Sequence, residues 1–142
     1  MADLLDASVW LPLSAPDHEH YPRARTYWDT ESADEMLFCR STALALLQYL
    51  TNQRILQHAV LDAAAAWRAL ETWLAVPQIS FVTEPAGVDE LLRDWASKLD
   101  LRAGGWTDAY LAAFASAGDY RLVAFDAGFR RFPGLKFLHL HL

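Results

Sequence analysis

Basic residues are in short supply. Lysine and arginine number 12 against 18 aspartates and glutamates, a formal net charge of -6. The surface as a whole is therefore not built for sequence-independent nucleic-acid binding, and any hold on a phosphate backbone must come from a local basic rim. The single cysteine, Cys39, excludes an internal disulfide framework, and its apolar neighbours mark it as a small buried hydrophobe. None of the six glycines belongs to a GxGxxG or GxxxxGK[ST] loop, so no glycine-rich phosphate cradle is present. No apolar run approaches the ~20 residues of a membrane span, and the opening MADLLDASVW carries acids where a signal peptide has basic residues. A soluble cytoplasmic protein with no membrane partner is expected. With no internal repeat, low-complexity linker or composition shift, residues 1–142 read as one domain. At 54% hydrophobic it can bury roughly two-thirds of its unfolded surface.

What is present is alternation. Asp3-Leu4-Leu5-Asp6 reads as a short first strand. Pro12 and Pro16 interrupt the turn of helix that follows, and Asp17 is placed to cap a new helix with His20, Ala24, Tyr27 and Trp28 on one face. His18 and His20, two apart, would point away from each other on that helix, which argues against a joint metal site. Met36 to Cys39 is a second buried strand, and Ser41 or Thr42 caps a helix from about Ala43 to Leu50. The next helix, Leu61 to Ala75, carries Trp67, Leu70, Trp73 and Leu74 as a stripe that is core or a partner surface. Ile79 to Val82 is a third strand, and Gly87 to Leu99 a helix with Val88, Leu91, Leu92 and Trp95 facing in. From Lys136 to Leu142 the chain alternates, with His139 and His141 on one face of an edge strand. The pattern implies an α/β protein: a mostly parallel sheet covered by helices on both sides.

The most informative stretch is WTDAYLAAFASAGDYRLVAFDAGF, residues 106–129. Tyr110, Leu111, Phe114 and Ala115 recur at helical spacing with Asp108 in the first turn, and Gly118 ends the helix. Leu122 to Phe125 follows as a buried strand that hands over to Asp126. Taken singly, an acid in a first turn favours the helix dipole and an aspartate after a strand starts a turn. Together with Asp6 at the end of strand one, the three carboxylates can reach the same edge of a parallel sheet. Like charges that close repel unless a cation neutralises them. Oxygen ligands without cysteine or clustered histidine suit Mg²⁺ or Mn²⁺, which pair with phosphate oxygens. Ser8 and Thr107 add hydroxyls able to orient a water or a carboxylate. The chemistry this implies is attack of a metal-activated water on a phosphodiester, with the metal stabilising the leaving oxygen.

The blocks LLDASVWLPL, DHEHYPRARTYW, FCRSTALALLQYLTN and WTDAYLAAFASAGDYRLVAFDAGFRRFPGL resemble, in this order and over nearly the whole chain, PIN-domain proteins of the VapC type. These are the ribonuclease toxins of bacterial type II toxin-antitoxin pairs. The last block is the specific part. The resemblance implies a PIN-like α/β/α sandwich with a sheet of four or five strands and Mg²⁺- or Mn²⁺-dependent cleavage of an RNA substrate. It also implies a homodimer and a cognate antitoxin folded over the active-site groove. By position, Asp6, Asp108 and Asp126 match the family's catalytic, metal-binding acids, and Ser8 and Thr107 its hydroxyl neighbours.

One departure stands out. The family commonly has a further acid on the helix after the second strand, where this chain places Ala43. Either three aspartates and water suffice, or an acid such as Glu84 substitutes, or activity is weak. Contact with RNA falls to Arg40, near the end of strand two, and to Arg130 and Arg131, just past Asp126. Two other classes remain open. One is another Mg²⁺-dependent α/β enzyme or switch, of haloacid-dehalogenase or receiver type; the former needs an acid where Ser8 stands. The other is a PIN scaffold that acts through antitoxin binding and dimerisation with catalysis weakened.

Overall fold

β1 (Ala2–Leu5) is the middle strand of the sheet. In the computed structural model, which describes residues 1–141, β2 (Glu35–Phe38) and β3 (Ile79–Phe81) extend the sheet on one side of it. β4 (Arg121–Ala124) and β5 (Phe137–His139) extend it on the other. The order is β3-β2-β1-β4-β5 and every pairing is parallel. The chain thus grows outward from β1 to β3 and then returns to lay β4 against β1. In such sheets the crevice at the carboxyl ends of the two strands flanking this reversal is where ligands bind.

Strands this short are fixed by strict alternation between two apolar layers. Leu5, Met36, Phe38 and Val123 point to one face, against α1 (Ala7–Ser14), α2 (Tyr21–Thr30), α3 (Arg40–Leu50) and α5 (Ala63–Leu74). Leu4, Leu37, Cys39, Leu122 and Ala124 point to the other, against α6 (Val88–Lys98) and α7 (Gly105–Ala117). A one-turn α4 (Gln53–Leu56) and a 3₁₀ turn, Gln57–Ala59, link α3 to α5. The result is the α/β/α sandwich expected from the alternation. Trp10 lies at the heart of the first layer, stacked on Phe38 at 4.0 Å between ring centroids. Full burial of a large apolar side chain of this kind contributes roughly 1.5–3 kcal/mol.

Local chemistry moves several element boundaries from their expected places. α1 runs through Pro12 to Ser14 rather than breaking there, because six of its eight residues are buried and packing outweighs one missing N–H bond. Asp17 caps nothing. Residues 15–20 form turns in which the His20 N–H donates to His18 Nδ1 at 3.0 Å, and α2 starts only at Tyr21, with Pro22 in its first turn. His18 and His20 therefore do not point apart: their rings meet edge to face, 5.2 Å between centroids. α3 starts at Arg40, ahead of Ala43, because Thr42 Oγ1 accepts from the Cys39 N–H and so closes the first turn. Gly87 enters α6 at a φ of 100°, a left-handed value suited to glycine. In the α5 stripe, Leu70 is buried and Trp73 donates Nε1–H to Ser14 Oγ at 2.8 Å, whereas Trp67 is exposed.

At the amino ends of the strands lies a buried ion pair. Asp3 is fully buried, and Arg121, its register partner on β4, forks onto it with Nε–Oδ1 and Nη2–Oδ2 distances of 2.8 Å. The Tyr27 hydroxyl and the Ala33 N–H also donate to Oδ2, at 2.6 and 3.0 Å. Among the described residues no helix is long and apolar enough to cross a membrane.

Candidate active site

At the carboxyl end of the sheet three separate local features deliver an acid each. Asp6 follows β1 directly and caps α1, its carboxylate accepting from the Ser8 N–H at 3.3 Å. Asp126 lies just beyond β4 and caps the 3₁₀ turn Ala127–Arg131, accepting from the Gly128 N–H at 2.8 Å. Asp108 stands in the first turn of α7. All three line one cavity of about 280 Å³, together with Ser8, Thr107 and, from α3, Ser41, Ala45 and Tyr49.

The electrostatics of the group follow from this convergence. Burial raises the Asp6 carboxyl above its ordinary range; the Ser8 hydroxyl and the N–H groups of Ser8 and Ala7 draw it back down, and the charge of Asp126 raises it further. Asp108 is raised by burial first, then by Asp126 and Asp6, with Arg131 opposing. Arg131 reaches back over the start of α7, where its guanidinium occupies the space a Cβ on Gly105 would enter, 3.1 Å away. The acids are thus mutually repelling and lack a salt bridge among the described residues. No three His, Cys, Asp or Glu side chains among the described residues are gathered closely enough to ligate an ion as they stand. The cap hydrogen bonds of Asp6 and Asp126 and the repulsion among like charges account for that looseness. As a donor set, carboxylates and hydroxyls with nearby bulk water fit a hard divalent cation.

The loop carrying Asp126 is held from three sides. The Phe125 N–H donates to Ser8 Oγ at 3.3 Å, the Phe125 carbonyl accepts from His139 Nε2 at 3.0 Å, and the Phe125 ring is stacked on His20. Ser8 is therefore as much a splint for the loop as a neighbour of Asp6.

Not every sequence candidate arrives here. Arg40 opens α3 and its guanidinium lies 4.6 Å above the centre of the Phe81 ring, away from the cavity lining. Arg130 turns toward β5 and His139. Glu84 does not line the cavity; it accepts from the Tyr110 hydroxyl at 2.8 Å, and burial, then that bond, pushes the Tyr110 hydroxyl up to about 12. Ala43 is fully buried in the apolar layer beneath the cavity. From α3 the cavity is lined by Ser41, Thr42, Ala45 and Tyr49, of which Ser41, Ala45 and Tyr49 are spaced every four residues along one helical stripe, a signal legible in the sequence.

The PIN-domain family model matches residues 4–135. Ribonuclease VapC41 of Mycobacterium tuberculosis is 34% identical over 138 residues, 94% of each chain. Among solved structures, VapC20 of Mycobacterium tuberculosis, a toxin cleaving the sarcin-ricin loop, superposes with a TM-score of 0.67 at 18% identity over 90% of this chain and 92% of its own. VapBC-1 from nontypeable Haemophilus influenzae does so with a TM-score of 0.71 at 15% identity over 98% of both chains.

Proposed function

The chain belongs to the PIN-domain family, and from that premise we propose that it is a VapC-type ribonuclease, the toxin half of a toxin-antitoxin pair, built as one PIN domain over residues 1–142. The observation that carries the reading is the meeting of Asp6, Asp108 and Asp126 at the switch point of the sheet with no salt bridge to any of them among the described residues. A carboxylate trio of this kind is stabilised by a cation, and Mg²⁺ or Mn²⁺ is the class its oxygen donors suit. Such an ion, when bound, supplies an acidified water and charge neutralisation at a phosphodiester. The chain's own part is to orient and to exclude. Asp6 and Asp126 would hold the ion from the ends of adjacent strands, and Asp108 would complete the set from α7. Ser8 and Thr107 orient carboxylates or water by hydrogen bonding. Arg131, beside Asp108, offers a fork for a substrate phosphate oxygen.

A homodimer and a cognate antitoxin complete the proposal. Support comes from the structural likeness to VapBC-1 and from exposed apolar side chains such as Leu44 and Trp67, which suit a protein partner. The reading is tested with purified protein, single-stranded RNA and Mg²⁺ or Mn²⁺. Cleavage that stops on chelation and in Asp6→Asn supports it; metal-independent cleavage, or cleavage surviving that substitution, refutes it. A second reading, a scaffold acting through its partners with catalysis weakened, is favoured by the lack of any acid from α3 or Glu84 in the cavity. Metal-replete protein that forms an antitoxin complex yet cleaves no RNA would establish it.

A further inference from the structure

The turn after Asp126 and the edge strand β5 enclose a polar network that the carboxylate cavity does not use. Arginine has only donors, so the 3.0 Å contact of Arg130 Nη2 makes His139 Nδ1 the acceptor. The Phe125 carbonyl only accepts, so His139 Nε2 carries the proton. Both ring nitrogens of His139 are thereby engaged. That removes it as a metal ligand and aims the exposed Arg130 guanidinium.

Beside this pair opens a cavity of about 350 Å³, within the size of small-molecule sites. Its walls include Phe129, Phe132, Phe137 and His141. The Phe137 ring lies within 26° of the plane of His139, and His141, which is exposed, stands against His139 with 4.5 Å between centroids. Phe129 lines both this cavity and the carboxylate one, and Phe125, whose carbonyl fixes His139, directly precedes Asp126. A held cation beside an exposed aromatic ring, here that of His141, is the combination by which proteins take single-stranded nucleic acid, phosphate by charge and base by stacking.

We propose that this cavity is a nucleotide subsite for single-stranded RNA next to the scissile position. Arg130 takes a neighbouring phosphate, the exposed ring of His141 stacks its base, and His139 is the positioning residue that holds Arg130. The inference rests on the ribonuclease reading above. Two measurements on a labelled, unstructured RNA oligonucleotide separate the two. One is steady-state cleavage by the metal-loaded protein. The other is equilibrium binding to Asp126→Asn, which keeps an oxygen for the Gly128 cap and lacks a metal-holding carboxylate.

His141→Ala is expected to raise KM and weaken binding by about five- to tenfold, the lower part of the range for losing one stacked base, with the change carried in KM rather than kcat. Arg130→Ala should weaken binding and flatten its salt dependence. His139→Ala should mimic Arg130→Ala, and His139→Gln, which restores an acceptor and a donor, should recover part of the loss. Wild-type cleavage with KM, binding and salt dependence unmoved in all these variants overturns the subsite and leaves the ribonuclease reading intact. A wild-type protein that neither binds nor cleaves RNA overturns both.

Discussion

Asp3 and Asp6 bracket the two ends of β1, and Arg121 and Asp126 mark the same two ends of its neighbour β4. At the amino end a carboxylate faces a guanidinium across the register; at the carboxyl end a carboxylate faces another carboxylate. Asp3 has no exposed surface, yet three groups donate to it, and the Arg121 guanidinium is held more firmly protonated by its hydrogen bond to Asp3. Burial and that same carboxylate push the Tyr27 hydroxyl far up, so it is a permanent donor. The opposite edge has similar acids and no such compensation, and two of them are raised by burial and mutual charge. The same side chain is thus structural where its charge is cancelled internally and functional where cancellation is left to a ligand.

The comparison breaks most severely at the functional edge. Asp6→Ala removes one of two carboxylates flanking the switch point and is expected to lower the RNA cleavage rate on the order of a thousandfold, the scale of a lost metal contribution. Toxicity in a bacterial host should vanish with it, while the circular dichroism spectrum stays folded. At the structural edge the effect is of the other kind. Arg121→Met strands a buried Asp3 that retains only Tyr27 and Ala33 as donors, and should cost about 3 kcal/mol of stability in urea titration. Cleavage per folded molecule should be unchanged, and a large loss of specific activity there would dissolve the division of labour between the two edges.

A third experiment turns the sign of the stability effect. Asp108 is raised above its ordinary value of 3.8 in the folded protein. Folding therefore binds protons from that value up to the raised one, and the stability present below the window is lost as pH rises through it. At neutral pH the ionised trio works against the fold. Asp108→Asn should raise the Tm of metal-free protein at pH 7, lose that advantage near pH 3, and fall behind the wild type once Mg²⁺ or Mn²⁺ is added. A metal-free Tm lowered at pH 7 would mean that Asp108 is paired rather than repelled.

The two edges also differed in how far the sequence disclosed them. Asp6, Asp108 and Asp126 were legible because strand ends and a helix start are local features, and alternation of elements implied a parallel sheet whose strand ends coincide. Asp3 was read only as the first residue of a strand, because its partner Arg121 is 118 positions away and nothing local announces a buried pair. Arg40 is expected near the cavity because it follows strand two, yet its guanidinium turns onto the Phe81 ring; the start of α3 at Arg40 is equally hidden, since cysteine is not a usual cap and the Thr42 bond to the Cys39 N–H is visible only in three dimensions. The edge-strand histidines were noticed as a pair, but the bonds that fix His139 join it to Phe125 and Arg130, residues of another element.

The smallest expected effect concerns Tyr49, which sits on the α3 stripe with Ser41 and Ala45 and closes the wall opposite the acids. Burial, then the charges of Asp6 and Asp108, raises its phenol above the ordinary 10. The hydroxyl therefore stays protonated across neutral pH and can donate to a phosphate oxygen or a water, one function an α3 carboxylate could not serve. Tyr49→Phe keeps the ring and deletes only that donor, so cleavage should fall about fivefold to tenfold, the value of one ordinary hydrogen bond. The fold should be untouched, because the hydroxyl makes no hydrogen bond to another described residue. If Tyr49→Phe cleaves as fast as the wild type, the wall of α3 contributes shape alone and the chemistry of this edge is confined to the three aspartates and their hydroxyl neighbours.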